Sequence, residues 1–116
     1  MDINNIKDKL ERATIAVATA DKQGKPHNIA IMYAKVRDDK IVITNNYMKT
    51  TVNNLKENNK ISLVFWQKEK GWRIDGEAEY FDSGEWLDFV KDMPENKDMP
   101  CKGAVVINVK EIKELG

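Results

Sequence analysis

Apolar and polar residues alternate in two-residue steps over much of the chain, which is the pattern of half-buried β-strands. Residues 13–20, ATIAVATA, show it most clearly and end at the turn-forming residues 21–26. Five further runs have strand character, so the predicted strands are residues 13–20, 27–36, 41–44, 61–66, 72–81 and 103–109. Gly76, inside the predicted strand 72–81, is expected to mark a β-bulge.

Three other segments space their apolar residues three or four positions apart, as amphipathic helices do. Residues 3–12 form the first, with Asn4 or Asn5 available as its N-cap. Residues 49–56 form the second, a short helix docked by one edge. The third follows Asp82, expected as its N-cap in a capping box, and ends at residues 93–94, Met-Pro.

Short turns join most neighbouring strands, which favours antiparallel pairing. We therefore predict a mainly β fold of six antiparallel strands and about three short helices, closed as a small barrel because closure removes exposed edges. Residues 61–66 are almost continuously apolar, so this strand is expected to be covered on both faces, by the barrel interior and by a helix or a partner subunit. Without repeats or linkers, residues 1–116 are predicted to form one domain.

Composition excludes several function classes. Nineteen Lys and Arg balance nineteen Asp and Glu, so no net charge attracts nucleic acid or an anionic membrane. No apolar run approaches the ~20 residues of a membrane helix, and the first residues do not resemble a signal peptide. The single cysteine, Cys101, excludes an intrachain disulfide and a cysteine-cluster metal site. We expect a cytoplasmic protein without a metal.

No motif in the chain identifies catalytic residues. Glycine-rich nucleotide motifs, H-E-x-x-H and G-x-S-x-G are all missing. The single histidine, His27, is expected to be a surface or turn residue, and Cys101 a passive thiol. No catalytic side chain is predicted.

Residues 44–51, TNNYMKTT, are rich in hydroxyls and amides and lie between a predicted strand and a predicted helix. Lys49, Thr50 and Thr51 would occupy the first turn of that helix, where free N–H groups and the helix dipole favour an anion such as phosphate. A threonine at a helix start is more often simply a cap, and local chemistry alone favours that interpretation.

The order of the segments resembles the pyridoxamine 5′-phosphate oxidase-related superfamily of FMN-binding split barrels, and in particular its short FMN-binding proteins. The resemblance spans roughly residues 10–115 and includes VATADKQGKPH, ISLVFW and GAVVINV. Its most specific parts are the segment Met48-Lys49-Thr50 and the strand Arg73-Ile74-Asp75-Gly76.

The resemblance implies a Greek-key split barrel, a homodimer, and FMN bound in a cleft at the dimer interface. It assigns Lys49 and Thr50 to the phosphate, and it places Met48 in the phosphate loop. It assigns the flavin ring and ribityl chain to two strand segments, which are Thr44 and Asn45 in one and Asn28, Ile29 and Ala30 in the other. A tryptophan that flanks the ring in some relatives corresponds to Ala30 or Met32.

The family's authentic oxidases carry a longer C-terminal region and usually a Gln where this chain has Gly71, so pyridoxamine phosphate oxidation is not expected. We predict a dimeric FMN-binding flavoprotein acting in electron or hydride transfer, as in flavin reductases. The alternative is a binding module that uses the same barrel for a deazaflavin or haem, or for electron carriage only. Trp66, Trp72 and Trp86 are expected to pack in the core and interface, and Arg73 to form a salt bridge on its strand.

Overall fold

The computed structural model describes all 116 residues. Its helices are α1 (Ile3–Glu11), α2 (Thr50–Glu57) and α3 (Glu85–Lys91), followed by a 3₁₀ helix (Pro94–Asn96). Its strands are β1 (Ile15–Ala20), β2 (Pro26–Ile31), β3 (Ala34–Arg37), β4 (Lys40–Asn45), β5 (Lys60–Gln67), β6 (Lys70–Phe81) and β7 (Gly103–Leu115). None of the helices has the length and apolar character needed to span a bilayer.

The strands form one sheet in the order β2-β1-β5-β6-β7-β4-β3, and every neighbouring pair is antiparallel. The two edge strands, β2 and β3, follow one another in the chain and are joined only by Met32 and Tyr33. Three residue steps span at most about 11 Å, so the sheet must curl until its edges approach each other. The result is an open-sided barrel with three short helices, which confirms the predicted fold class.

The prediction of six strands was wrong by one, because the run 27–36 divides into two strands. Ile31 pairs with Ile15 on β1, whereas Ala34 pairs with Ile43 on β4, so the two halves belong to opposite edges of the sheet. Met32 and Tyr33 between them are 60% and 48% exposed. The apolar pattern of residues 27–36 does not reveal this change of partner, because each half directs its own apolar side chains toward the core: Ile29 and Ile31 in β2, and Ala34 and Val36 in β3.

The barrel interior holds the main hydrophobic core. α1 closes it with Ile3, Ile6 and Leu10, while Phe65 and Trp72 stack inside with ring centroids 5.2 Å apart. A second cluster lies outside the barrel, where α3 covers β4 and β7. Trp72 is therefore a core residue, as predicted.

The other two tryptophans differ from Trp72. Trp86 is half-buried beside the cluster under α3, which agrees with a packing role. Trp66 is 61% exposed in the single chain, so it is not a core residue, and its packing at an interface stays a prediction. Arg73 forms the predicted salt bridge on its strand, with Nε 3.2 Å from Asp75 Oδ2.

Both predicted helix caps were wrong. Asp2 caps α1, because its Oδ1 accepts from the Asn4 N–H. Asn5 Oδ1 accepts in turn from the Asp2 N–H, so Asn5 is the N3 residue of a capping box and not the cap. In α3 the cap position is Gly84, whose φ of 86° suits glycine, and Asp82 makes no cap bond.

The predicted bulge in β6 is confirmed, and β7 is longer than predicted. The β6–β7 register shifts between Asp75 and Gly76, and a Cβ at Gly76 would lie 2.5 Å from the Asn108 carbonyl oxygen. Beyond this shift β7 continues to Leu115 instead of ending at 109. Lys and Glu occupy two of every three positions in residues 110–115, so the hydrophobic pattern did not show this extension.

Candidate functional site

A cavity of about 490 Å³ lies where β2, the end of β4 and the start of α2 meet. Its walls are apolar on the β2 and β4 sides, through Ile29, Ile31 and Ile43. Hydroxyl, amide and amino groups line the rest, at Thr44, Asn46, Lys49, Thr50, Thr51 and Asn96. No aspartate or glutamate lines the cavity, so it suits a neutral or anionic ligand with an apolar body.

Six of the eight residues predicted for cofactor binding line this cavity. They are Ile29, Ala30, Thr44, Met48, Lys49 and Thr50. The other two, Asn28 and Asn45, do not. Asn28 lies on β2 opposite Ala18 with an exposed side chain, out of phase with Ile29. The topology thus brings together two segments that lie fourteen or more residues apart in sequence.

One end of the cavity is formed by the start of α2. The helix begins at Thr50, so Lys49 occupies the N-cap position. The prediction that Lys49 lies in the first turn was therefore wrong by one residue. No side chain caps the helix, and its first N–H groups lie beside the cavity that Lys49, Thr50 and Thr51 line. Unpaired N–H groups, the helix dipole and a lysine together favour an anion here.

His27 also lines the cavity, which sequence reasoning missed. It was expected to be a surface or turn residue, but it is half-buried at the start of β2. The two-residue period of a strand places His27 on the same face as Ile29 and Ile31, and this period was the signal that could have found it.

Asn45 holds the loop that follows β4. Its Nδ2 donates to the Tyr80 hydroxyl at 2.8 Å, and its Oδ1 accepts from the Met48 N–H at 2.7 Å. Its backbone carbonyl accepts from the Lys102 N–H at 2.9 Å. With its side chain engaged on both sides and 4% of its surface exposed, Asn45 positions the loop instead of lining the cavity.

Asn96, in the 3₁₀ helix, is a second buried amide besides Asn45, and sequence reasoning did not predict it. Its Nδ2 donates to Thr44 Oγ1 and to the Val90 carbonyl, each at 2.8 Å. Its Oδ1 accepts from Asn46 Nδ2 at 3.2 Å. An asparagine in a polar loop 52 residues after Thr44 carries no sequence signal of this contact.

The 3₁₀ helix is itself fastened to β3. Glu95 Oε2 lies 2.8 Å from Lys35 Nζ. The hydrogen bond from Lys35, with a smaller contribution from the backbone N–H of Glu95, lowers the pKa of Glu95 below its ordinary value of 4.5. This ion pair therefore helps to keep Asn96 against the cavity wall.

Four large apolar or aromatic side chains are exposed at the cavity: Met32, Tyr33, Tyr47 and Met99, each between 41% and 69%. Only Met1 and Trp66 are comparably exposed elsewhere. Such a concentration of exposed apolar surface is typical of a ligand or partner contact.

Comparison with known proteins agrees with this architecture. The family model described as pyridoxamine 5′-phosphate oxidase matches residues 4–116. An uncharacterized protein of Methanocaldococcus jannaschii is 35% identical over 112 residues, covering 91% of this chain and 75% of that protein.

Two solved structures are also similar. The structure of HupZ from Group A Streptococcus has a TM-score of 0.89 at 25% identity and covers 99% of this chain and 94% of that one. An FMN-binding protein from Syntrophomonas wolfei has a TM-score of 0.75 at 17% identity, covering 97% and 88%. At 17% identity the second likeness concerns the fold alone.

Proposed function

Because the chain belongs to the pyridoxamine 5′-phosphate oxidase family, we propose that it is a homodimeric flavoprotein that binds FMN in the cavity between β2 and β4. The observation that carries the proposal is the uncapped start of α2, which opens into this cavity beside Lys49. A protein of the same fold is described as FMN-binding, so the fold can accommodate this ligand.

The cavity fits FMN in size and in chemistry. Its volume of about 490 Å³ falls within the roughly 300–1,000 Å³ of small-molecule and cofactor sites. Lys49 and the first N–H groups of α2 would hold the phosphate, and no carboxylate lines the cavity to oppose it. Ile29 and Ile43 would supply apolar surface for the flavin ring.

Bound FMN supplies the electron or hydride transfer, and the residues of the chain bind it, orient it and exclude water. The titratable side chains in the lining are His27, Tyr33, Tyr47 and Lys49, none of which forms a paired acid and base with a carboxylate. We infer a flavin reductase-like centre or an electron carrier, not an enzyme that needs a protein acid and base.

The proposed dimer is supported by an uncovered face of the barrel. The outward residues of β1 are all alanines, and the strand pairing places Ala16 between Ala30 of β2 and Val64 of β5 in one row. The helices pack elsewhere, since α1 contacts β3, α3 contacts β4 and β7, and α2 closes the barrel beside β1 and β6. A second copy would cover this row together with the exposed Trp66.

The experiment that tests the function is an equilibrium titration of flavin-free protein with FMN, followed by anaerobic addition of NADH or NADPH. We expect saturable binding of one FMN per chain, a yellow complex, and release of FMN on denaturation. Bleaching by a nicotinamide would assign reductase chemistry, whereas no bleaching would assign electron carriage. A protein that does not bind FMN at tens of micromolar would contradict the proposal.

A further inference from the structure

We propose that the buried Asn96 fixes the hydrogen-bonding polarity of the cavity wall, with Thr44 as a donor and Asn46 as an acceptor. Such a wall selects a ligand edge that presents a carbonyl oxygen beside an N–H, as an imide does. The inference rests on the proposed function, because the isoalloxazine ring of FMN carries such an edge.

Two backbone carbonyls determine how the amides are turned. The Val90 carbonyl can only accept, so the atom of Asn96 that lies 2.8 Å from it must be the N–H-bearing Nδ2. The Pro100 carbonyl, 2.8 Å from Asn46, fixes the Nδ2 of that residue in the same way. The contact between Asn96 Oδ1 and Asn46 Nδ2 agrees with both assignments.

This arrangement makes Thr44 a donor toward the cavity. Its Oγ1 already accepts from Asn96 Nδ2, so its one hydrogen is free to be donated. The partner available within the chain is Met93 Sδ at 4.0 Å, and a thioether is a weak acceptor. A ligand carbonyl in the cavity would be a better partner for the hydroxyl of Thr44.

The same network makes Asn46 an acceptor. Both of its amide protons are used, one by Asn96 and one by Pro100. Its Oδ1 has no partner in the chain, and Asn46 lines the same cavity as Thr44. Oxidised FMN has a single ring N–H, at N3, between two carbonyls, so the N3–H is the group that Asn46 Oδ1 would accept from.

The test compares the dissociation constants of FMN and of 3-methyl-FMN, in which a methyl group replaces that N–H. One neutral hydrogen bond corresponds to roughly a 3- to 10-fold change in affinity. Wild-type protein should therefore bind 3-methyl-FMN about 3- to 10-fold more weakly than FMN. Asn46→Leu, which lacks the acceptor, should bind the two ligands with nearly equal constants.

Two further variants test the donor and the role of Asn96. Thr44→Val should reduce the affinity for both ligands alike by about 3- to 10-fold, while Thr44→Ser, which keeps the hydroxyl, should bind them as the wild type does. Asn96→Ala should reduce the discrimination between the ligands, which a purely structural role would leave unchanged. If Asn96→Ala does not fold, the ratio in Asn46→Leu still decides the proposal.

Equal affinities of wild-type protein for the two ligands would overturn the inference. The same discrimination in Asn46→Leu as in the wild type would also overturn it, because the methyl group would then act by bulk alone. Both results leave the proposed function intact, since FMN still binds. Absence of FMN binding to the wild type would instead contradict the proposed function and this inference with it.

Discussion

Replacing Lys49 with alanine separates cofactor binding from folding more cleanly than any other change at the site. Lys49 is exposed, stands at the N-cap position of α2 and makes no side-chain cap bond there. Its removal therefore breaks no contact that holds the barrel together. It takes away only the positive charge that the proposed phosphate site uses.

The expected loss follows from the exposure of the site. A hydrogen bond to a charged group contributes on the order of 1.5–3 kcal/mol, or roughly 10- to 150-fold in affinity. Solvent and salt screen a charge at an exposed position, so we expect a loss at the lower end of this range, which is an increase of about 10-fold in the dissociation constant. The free energy of unfolding without FMN should stay within about 0.5 kcal/mol or rise slightly, because a cation opposes the dipole at a helix start.

The assay is flavin fluorescence titration with FMN and with riboflavin, at low and high salt, and urea unfolding of the flavin-free protein. Lys56→Ala is the matched control, since Lys56 lies in the last turn of the same helix and its loss changes the net charge equally. Riboflavin, without the phosphate, should bind more weakly than FMN and should not respond to Lys49→Ala. Unchanged FMN affinity in Lys49→Ala, or an equal loss in Lys56→Ala, would refute the phosphate site.

Three further predictions concern assembly, the bulge and pH. Light scattering should give twice the chain mass of 13.3 kDa, and Val64→Lys on the uncovered face should give folded monomers; a wild-type monomer with FMN bound would contradict the dimer. Gly76→Ala should lower the free energy of urea unfolding by about 1–3 kcal/mol, because its Cβ would meet the Asn108 carbonyl oxygen. An unchanged midpoint would contradict this prediction and would show that β7 shifts at little cost. Since the folded pKa of Glu95 is lowered, its stabilising effect is present above pH 4.5 and disappears as the pH falls through the folded pKa. Glu95→Gln should thus lower the free energy of unfolding by about 1 kcal/mol at pH 7, and the difference from wild type should shrink as the pH falls below 4.5. Parallel pH profiles of wild type and variant would contradict this prediction.

Much of the barrel could be predicted from the sequence, because a half-buried strand records its two faces in its alternating residues. β1 and β6 follow from such runs, β5 follows from its almost continuously apolar run, and Gly76 marked the bulge in β6. The break at Met32 and Tyr33 could not be predicted in this way. It depends on which strand each half pairs with, and pairing partners are set by the whole sheet.

The site divides in the same manner. Local chemistry at the helix start permits an anion site at Lys49 and Thr50 but favours a simple cap, so it was the family resemblance that assigned these residues to the phosphate. Six of the eight predicted residues line one cavity. Asn45 was predicted as a site residue, but its hydrogen bonds and those of Asn96 could not be predicted, since they join residues distant in sequence, such as Tyr80 and Thr44. Both amides lie in polar segments where an asparagine is ordinarily a solvated turn residue.

A crystal structure of the protein grown with FMN tests the central claim most directly. The account predicts FMN density in the cavity between β2 and β4, with the phosphate at Lys49 and the N–H groups that begin α2, and the ring against Ile29 and Ile43. FMN bound elsewhere on the barrel, or a phosphate directed away from α2, would contradict it.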